Sequence, residues 1–170
     1  MLTNSTVPPS FGYFFESFNS KKFQKETGLS PNFVQDNQSK SSKGVLRGLH
    51  FQIDDYAQAK LVRVIKGRVL DIAVDIRNNS KTFGEYISIE LNAESHKQLY
   101  IPRGFAHGFL VLESETIFSY KCDNFYNKES ERGIIYNDET LNIDWQLPDL
   151  EIILSSKDKN LPTLNDYLNA

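Results

Sequence analysis

An all-β fold, a sandwich or a barrel, is predicted by three observations. β-branched residues cluster in short runs, one segment alternates polar and apolar, and turn signals recur so that strands follow one another about every eight to twelve residues. Taken in order, the first element is an exception: Phe15 to Thr27 carries apolar residues at 15, 18 and 23 and ends at Gly28, which predicts a helix with a glycine C-cap. Residues 36 to 43 read as a polar loop leading into the strand that holds His50, either a ligand-facing turn or, as composition favours, a plain solvated connection. Val62, Val64, Val69, Ile72, Val74 and Ile76 form two runs broken by Lys66-Gly67-Arg68, a predicted β-hairpin. Glu85 to Leu91 alternates with period two, the pattern of a half-buried strand, and Ala93 to Gln98 is long enough for one short helical turn. Leu99-Tyr100-Ile101 runs into the turn Pro102-Arg103-Gly104, and Phe109 to Leu112 and Thr116 to Tyr120 make two further strands. Pro8, Pro9, Pro148 and Pro162 make both ends irregular, so the expected body spans about residues 12 to 150 with a C-terminal extension folded over it.

With 170 residues the whole chain, 1 to 170, is expected to be a single domain with core enough to fold without staples. Long apolar segments are missing, and Met1-Leu2-Thr3-Asn4-Ser5 lacks the charged start and hydrophobic stretch of a signal peptide. The expectation is a cytoplasmic protein with no membrane partner. A net charge of −3 with scattered basic residues excludes a general nucleic-acid binder. The single cysteine, Cys122, rules out an internal disulfide and reads as a buried structural thiol.

Two residues suggest chemistry alpha to a carbonyl. His50, in Gly44-Val-Leu-Arg-Gly-Leu-His-Phe-Gln52, carries an imidazole, a group that can take a proton from carbon. Lys60, in Ala59-Lys60-Leu61-Val62-Arg63-Val64, can stabilise the oxyanion left behind. A metal site is not expected: the three histidines, His50, His96 and His107, include no His-x-His pair, since position 48 is glycine and position 52 glutamine. His96 lies among polar neighbours and reads as a surface residue. His107 stands between small residues in Gly104-Phe105-Ala106-His107-Gly108, and points either into a cavity or into the core. Tyr120 carries a phenol that keeps its proton at neutral pH, or is simply a packing residue.

These fragments occur together and in order. Gln35-Asp36-Asn37, Gly44 to Gln52, Lys60 to Val64, Gly67 to Arg77, Ser80 with Phe83-Gly84, Ile101 to Phe109, Tyr120-Lys121, Tyr126, Asn137-Asp138, Trp145 and Ser156-Lys157-Asp158 resemble the dTDP-4-dehydrorhamnose 3,5-epimerases from about residue 12 to 164. The resemblance implies a cupin-type jelly roll, usually a homodimer, that needs neither metal nor cofactor and acts on a nucleotide-sugar substrate, a dTDP-4-keto-6-deoxyhexose. It matches His50 to the catalytic base, Asp158 to the carboxylate partner of that base, Tyr120 to the proton donor and Lys60 to the residue beside the sugar carbonyl. Glu16, Gln35, Asn37, Arg47, Glu131 and Lys157 match nucleotide- or phosphate-contacting positions, and His107 and Tyr126 match residues lining the sugar pocket.

One departure stands out. The family usually has Asp-x-Arg-Gly before its Phe-x-Glu motif, whereas this chain has Pro9-Ser10-Phe11-Gly12 before Phe14-Phe15-Glu16, so Phe11 replaces the arginine, and Thr3 to Pro9 is a poor strand candidate. The reading is therefore an epimerase that inverts C3 and C5. The alternatives are inversion at C3 or C5 alone, and a non-catalytic cupin that binds nucleotide sugars.

Overall fold

A computed structural model describes residues 12–169. Phe11 and the stretch Thr3 to Pro9 lie outside the described residues. The chain divides into two compact units, one ending at Asn32 and one beginning at Phe33.

The N-terminal unit holds helix α1, Ser20–Thr27. It starts later than the apolar spacing predicts, because Asn19 is extended at φ −145° and its side chain accepts from the Lys22 N–H at 3.1 Å, capping the helix there. The predicted end is correct: Gly28 adopts a left-handed φ of 73° and its N–H reaches Gln24 O at 2.8 Å.

The second unit is built on β1 (Gln35–Ser41), β2 (Leu46–Gln52), β3 (Lys60–Lys66), β4 (Arg68–Asp75), β5 (Tyr86–Asn92), β6 (Gln98–Ile101), β7 (Phe105–Val111), β8 (Thr116–Cys122) and β9 (Glu131–Gly133), followed by helix α2, Leu164–Leu168. The strands form two antiparallel sheets, ordered β1-β8-β3-β6 and β5-β4-β7-β2-β9. This is the expected all-β jelly roll.

Three local expectations change. The polar loop at 36 to 43 is mostly strand β1, paired along its whole length with β8 from Gln35↔Cys122 to Ser41↔Thr116. Its inner face consists of Gln35, Asn37, Ser39 and Ser41, so burial alternates without the hydrophobic alternation that normally reveals a strand. The Lys66-Gly67-Arg68 break is not a hairpin. β3 pairs with β6 and β8 while β4 pairs with β5 and β7, so the chain passes there from one sheet to the other. Gly67 allows the passage at φ 80°, where a Cβ would overlap the Thr116 side chain. The third change is between β5 and β6, where residues 93 to 95 form a turn, not a helix, tied by Ser95 N–H donating to Asn92 Oδ1 at 2.8 Å.

Two apolar clusters cover the two faces of the five-stranded sheet. Val69, Ala73, Leu91, Phe109 and Val111 meet Val62, Val64 and Phe118 of the other sheet. Leu70, Ile72, Val74, Ala106 and Leu110 meet Leu141, Trp145 and Leu164 from the chain that follows β9. Coverage on both faces is why β4 and β7 read as nearly continuous apolar runs. Buried Asp138 ties the C-terminal segment down, accepting from Leu141 N–H at 2.9 Å and Leu164 N–H at 2.7 Å. Residues beyond 150 thus complete the core: Ile153 bridges Val45, and Tyr167 meets Phe51 edge-on at 5.1 Å.

At the end of β4, buried Asp75 accepts from Arg77 N–H at 3.1 Å, Arg77 Nε at 2.8 Å, Arg77 Nη2 at 2.7 Å and Thr82 Oγ1 at 2.7 Å, and from Ser80 Oγ as well. The Arg77 guanidinium lies 4.8 Å from the centre of the Phe105 ring. Hydrogen bonding to Arg77 is the largest influence on the carboxyl. Together with Ser80 and Thr82 it outweighs burial and holds Asp75 well below the ordinary aspartate range. Asp75→Asn should lower stability by about 1–3 kcal/mol, a figure reduced because Arg77 is half-exposed. Because the folded-state value is depressed, this stability is fully present above the ordinary aspartate pKa and is lost as pH falls from there towards the folded value. Urea denaturation as a function of pH checks this: the variant should lose the Asp75 share of the slope in that acidic window.

Candidate active site

A cavity of about 530 Å³ opens between the two sheets and draws its walls from both. Lys60 on β3 and Tyr120 on β8 come from the four-stranded sheet; His50 on β2 and His107 on β7 come from the other. Strand alternation explains the selection. Lys60 shares a face of β3 with the core residues Val62 and Val64, and Tyr120 shares one of β8 with Phe118 and Cys122, so each polar group continues an apolar row at the cavity end. Across the ladders Lys60 is level with Cys122 and Gln35, and Val62 with Tyr120 and Asn37.

His50 sits beside a close approach of backbones. Pairing of β2 with β7 slips between Arg47 and His50, leaving His50 level with His107. Gly48 lies in the slip at φ 122°, where a Cβ would come within 2.6 Å of Gly108 Cα and 2.7 Å of His107 O. The imidazole Nε2 stands 2.6 Å from Asp158 Oδ1. Nδ1 is 3.9 Å from Glu131 Oε1 and has no hydrogen-bond partner among the described residues. Asp158 is buried on the short 3₁₀ turn Asp158–Asn160, and Ser155 holds it from both ends: Ser155 Oγ donates to Asp158 Oδ2 at 2.7 Å and accepts from Asp158 N–H at 3.1 Å. Burial raises the Asp158 pKa, but His50, Ser155 and Lys157 together pull it below the ordinary value, so the partner of the imidazole is a carboxylate at neutral pH.

Lys60 has no ion-pair partner among the described residues, and its Nζ lies 5.9 Å from the centre of the Tyr120 ring. Burial lowers its ammonium below the ordinary lysine value, opposed by the charges of Cys122, Asp71 and Glu131. Burial likewise pushes the Tyr120 phenol up, which keeps its proton in place. His107 Nε2 is 3.1 Å from each oxygen of Asp71, and both groups are buried. Burial lowers the His107 imidazole against the pull of Asp71.

The remaining candidates flank this centre. Gln35 Nε2 donates to Asn37 Oδ1 at 3.1 Å, Gln35 Oε1 accepts from Tyr126 N–H at 3.1 Å, and Arg47 Nη2 donates to Ser41 Oγ at 3.2 Å. Glu131 accepts from Tyr126 Oη at 2.8 Å and pairs with Lys157. The structure therefore brings His50, Lys60, Tyr120, Asp158, Gln35, Asn37, Arg47, His107, Tyr126, Glu131 and Lys157 to one cavity wall or rim. Glu16 belongs to the N-terminal unit, where it pairs with Lys22 at 2.9 Å and accepts from Asn19 at 3.0 Å. Cys122 is buried, and burial raises its thiol, consistent with a structural role. Among the described residues no cluster of three or more His, Cys, Asp or Glu side chains is placed to hold a metal ion, and no helix is long and apolar enough to cross a membrane.

Sequence reasoning missed Asp71, Ser155 and Gln52. Asp71 left a signal, an acid in the middle of the apolar run Val69 to Val74, where only a buried partner makes it tolerable. Ser155 three residues before Asp158 is the spacing of a side chain that caps a turn. Gln52 left no signal beyond sharing a strand face with His50.

A jelly roll closed around a histidine–carboxylate pair, a buried lysine and a tyrosine is the architecture of the cupin-type carbohydrate epimerases. The sequence profile of the dTDP-4-dehydrorhamnose 3,5-epimerases matches residues 1–166, and the chain belongs to that family. The chain is 55% identical to the Shigella flexneri dTDP-4-dehydrorhamnose 3,5-epimerase over 149 residues, 88% of this chain and 81% of that one. A crystal structure of the Elizabethkingia anophelis dTDP-4-dehydrorhamnose 3,5-epimerase superposes with a TM-score of 0.89 at 56% identity, covering 96% of this chain and 89% of that one. The Legionella pneumophila 3,5-epimerase, solved in complex with dTDP-4-keto-L-rhamnose, gives a TM-score of 0.89 at 46% identity, over 95% and 85% of the two chains.

Proposed function

We propose that the protein inverts C3 and C5 of a dTDP-4-keto-6-deoxyhexose, with His50 as the base and Tyr120 as the acid. The observation that carries this reading is the origin of the two groups: His50 comes from one sheet and Tyr120 from the other, across a single cavity. Inversion requires a proton to leave one face of a carbon and return to the opposite face, and opposed walls supply opposed faces. Nδ1 of His50 abstracts the proton at C5 or C3 while the Asp158 carboxylate fixes the ring tautomer and stabilises the imidazolium. The electron pair moves onto the C4 oxygen, and the Lys60 ammonium stabilises that oxyanion in a site from which bound substrate excludes water. The enolate then takes the Tyr120 proton at the same carbon, and solvent exchange restores both groups. No electrons are transferred, so the reaction needs no redox cofactor.

Gln35, Asn37, Arg47, Glu131 and Lys157 hold the nucleotide and its phosphates in this reading, with His107 and Tyr126 against the sugar; Glu16 is the contact assigned to the N-terminal unit. Support comes from the matching family positions and from the dTDP-sugar held by the Legionella relative. The same reading makes the protein a cytoplasmic homodimer; sedimentation of the purified chain tests the dimer, and fractionation of cells the compartment.

Turnover of dTDP-4-keto-6-deoxyglucose in deuterated water tests the function. Two deuterons should enter the product, one at C3 and one at C5; a single deuteron would mean a monoepimerase, and none a binding protein. Tyr120→Phe separates acid from base. His50 should still remove a proton and return one to the same face, so wash-in should persist while inverted product falls about 10²- to 10⁴-fold. Equal loss of both would reassign the phenol to substrate positioning.

A further inference from the structure

We propose that Gln52 is a sugar-orienting residue, whose side-chain N–H₂ donates to a hydroxyl oxygen of the hexose lying against His50. Gln52 is buried at 7% exposure and lines the cavity. The N–H of Asn127 donates to its Oε1 at 3.0 Å, which fixes which end of the amide is oxygen and which is nitrogen. That anchor is itself braced, since Asn127 Oδ1 accepts from Glu129 N–H at 2.8 Å and Ser130 N–H at 3.1 Å, and Ile53 N–H donates to Ser130 O at 3.0 Å. Gln52 Nε2 makes no hydrogen bond to any described residue and keeps access to the cavity that Gln52 lines. A buried amide satisfied at one end and unpartnered at the other, on a cavity wall, is a donor held ready for a ligand.

Its position points to the sugar. Gln52 follows His50 by two residues on the same face of β2, a separation of about 6.5–7 Å along the strand, close to the width of a hexose ring. Across the β2–β9 ladder it is level with Glu131, and His50 with Gly133. A ring whose C3 or C5 lies over the imidazole therefore presents its substituents to the Gln52 amide. Lys60, on the opposite sheet, is reserved for the C4 oxygen, which leaves a hydroxyl as the acceptor for Gln52. A donor that cannot rotate into an acceptor discriminates against sugars lacking that hydroxyl, because its N–H would stay buried and unpaired.

This inference rests on the epimerase reading, which wild-type turnover in deuterated water tests first and separately. Gln52→Glu keeps the length and the oxygen that accepts from Asn127 but turns the donor into an acceptor; Gln52→Met removes the donor without adding charge. Both variants should raise KM for dTDP-4-keto-6-deoxyglucose about 10- to 100-fold. They should also change the ratio of deuterium incorporated at C3 to that at C5, while the Kd for dTDP measured by calorimetry stays within about twofold of wild type. An unchanged KM and C3:C5 ratio in both variants would overturn the proposal. A loss of dTDP affinity in step with KM would overturn it as well, by showing that Gln52 only shapes the pocket wall through Asn127.

Discussion

His50→Asn should abolish deuterium wash-in at both C3 and C5, with kcat falling about 10²- to 10⁴-fold while dTDP binding is retained. Asparagine fills nearly the same space beside Asp158 and leaves the slip in the β2–β7 ladder to Gly48, so the loss would report chemistry and not folding. Asp158→Asn should reduce exchange at both centres to a smaller extent. The amide can still touch the ring at the observed 2.6 Å spacing, yet it offers no charge to the imidazolium formed during abstraction. Mass spectrometry of substrate recovered from deuterated water measures both variants. Near-normal exchange in His50→Asn would remove the imidazole from the mechanism and leave Glu131, 3.9 Å from it, as the next carboxylate to examine.

The second large effect belongs to Lys60. Lys60→Met preserves the stem that continues the Val62 and Val64 row but removes the charge from the C4 oxygen, and kcat should drop about 10²- to 10³-fold with little change in KM. The wild-type pH profile carries a linked expectation. In the proposed mechanism activity requires protonated Lys60, so it should be lost as pH rises through the Lys60 pKa. Because burial lowers that value, the alkaline limb should lie below the ordinary lysine range. The limb should be missing from the residual activity of Lys60→Met. A variant that keeps wild-type kcat would show that the oxyanion is stabilised elsewhere, with His107 on the facing sheet a candidate donor from the same cavity.

The sequence by itself determined the fold class and picked out most of the side chains that line the cavity. β-branched runs at Val62 to Val64 and Val69 to Ile76, the alternation from Glu85 to Leu91 and the Gly28 cap are local consequences of side-chain shape, and they survive in the structure as strands and a helix end. The ordered motifs carried the family, and with it the proposed acid–base set, whose members line one cavity. Tertiary structure alone decided which strands share a sheet, and so turned a predicted hairpin at Gly67 into a crossing between sheets. Strand β1 likewise stayed hidden, because its inner residues are polar, three of them on the cavity wall, and carry no hydrophobic signal. Asp71 behind His107 and the anchored amide of Gln52 are partnerships between residues distant in sequence. Periodicity tells a residue which way to face, but the identity of what it meets depends on how the two sheets close on one another. For the same reason the opposition of His50 and Tyr120, on which the proposed inversion rests, is a property of the closed sandwich and of no segment within it.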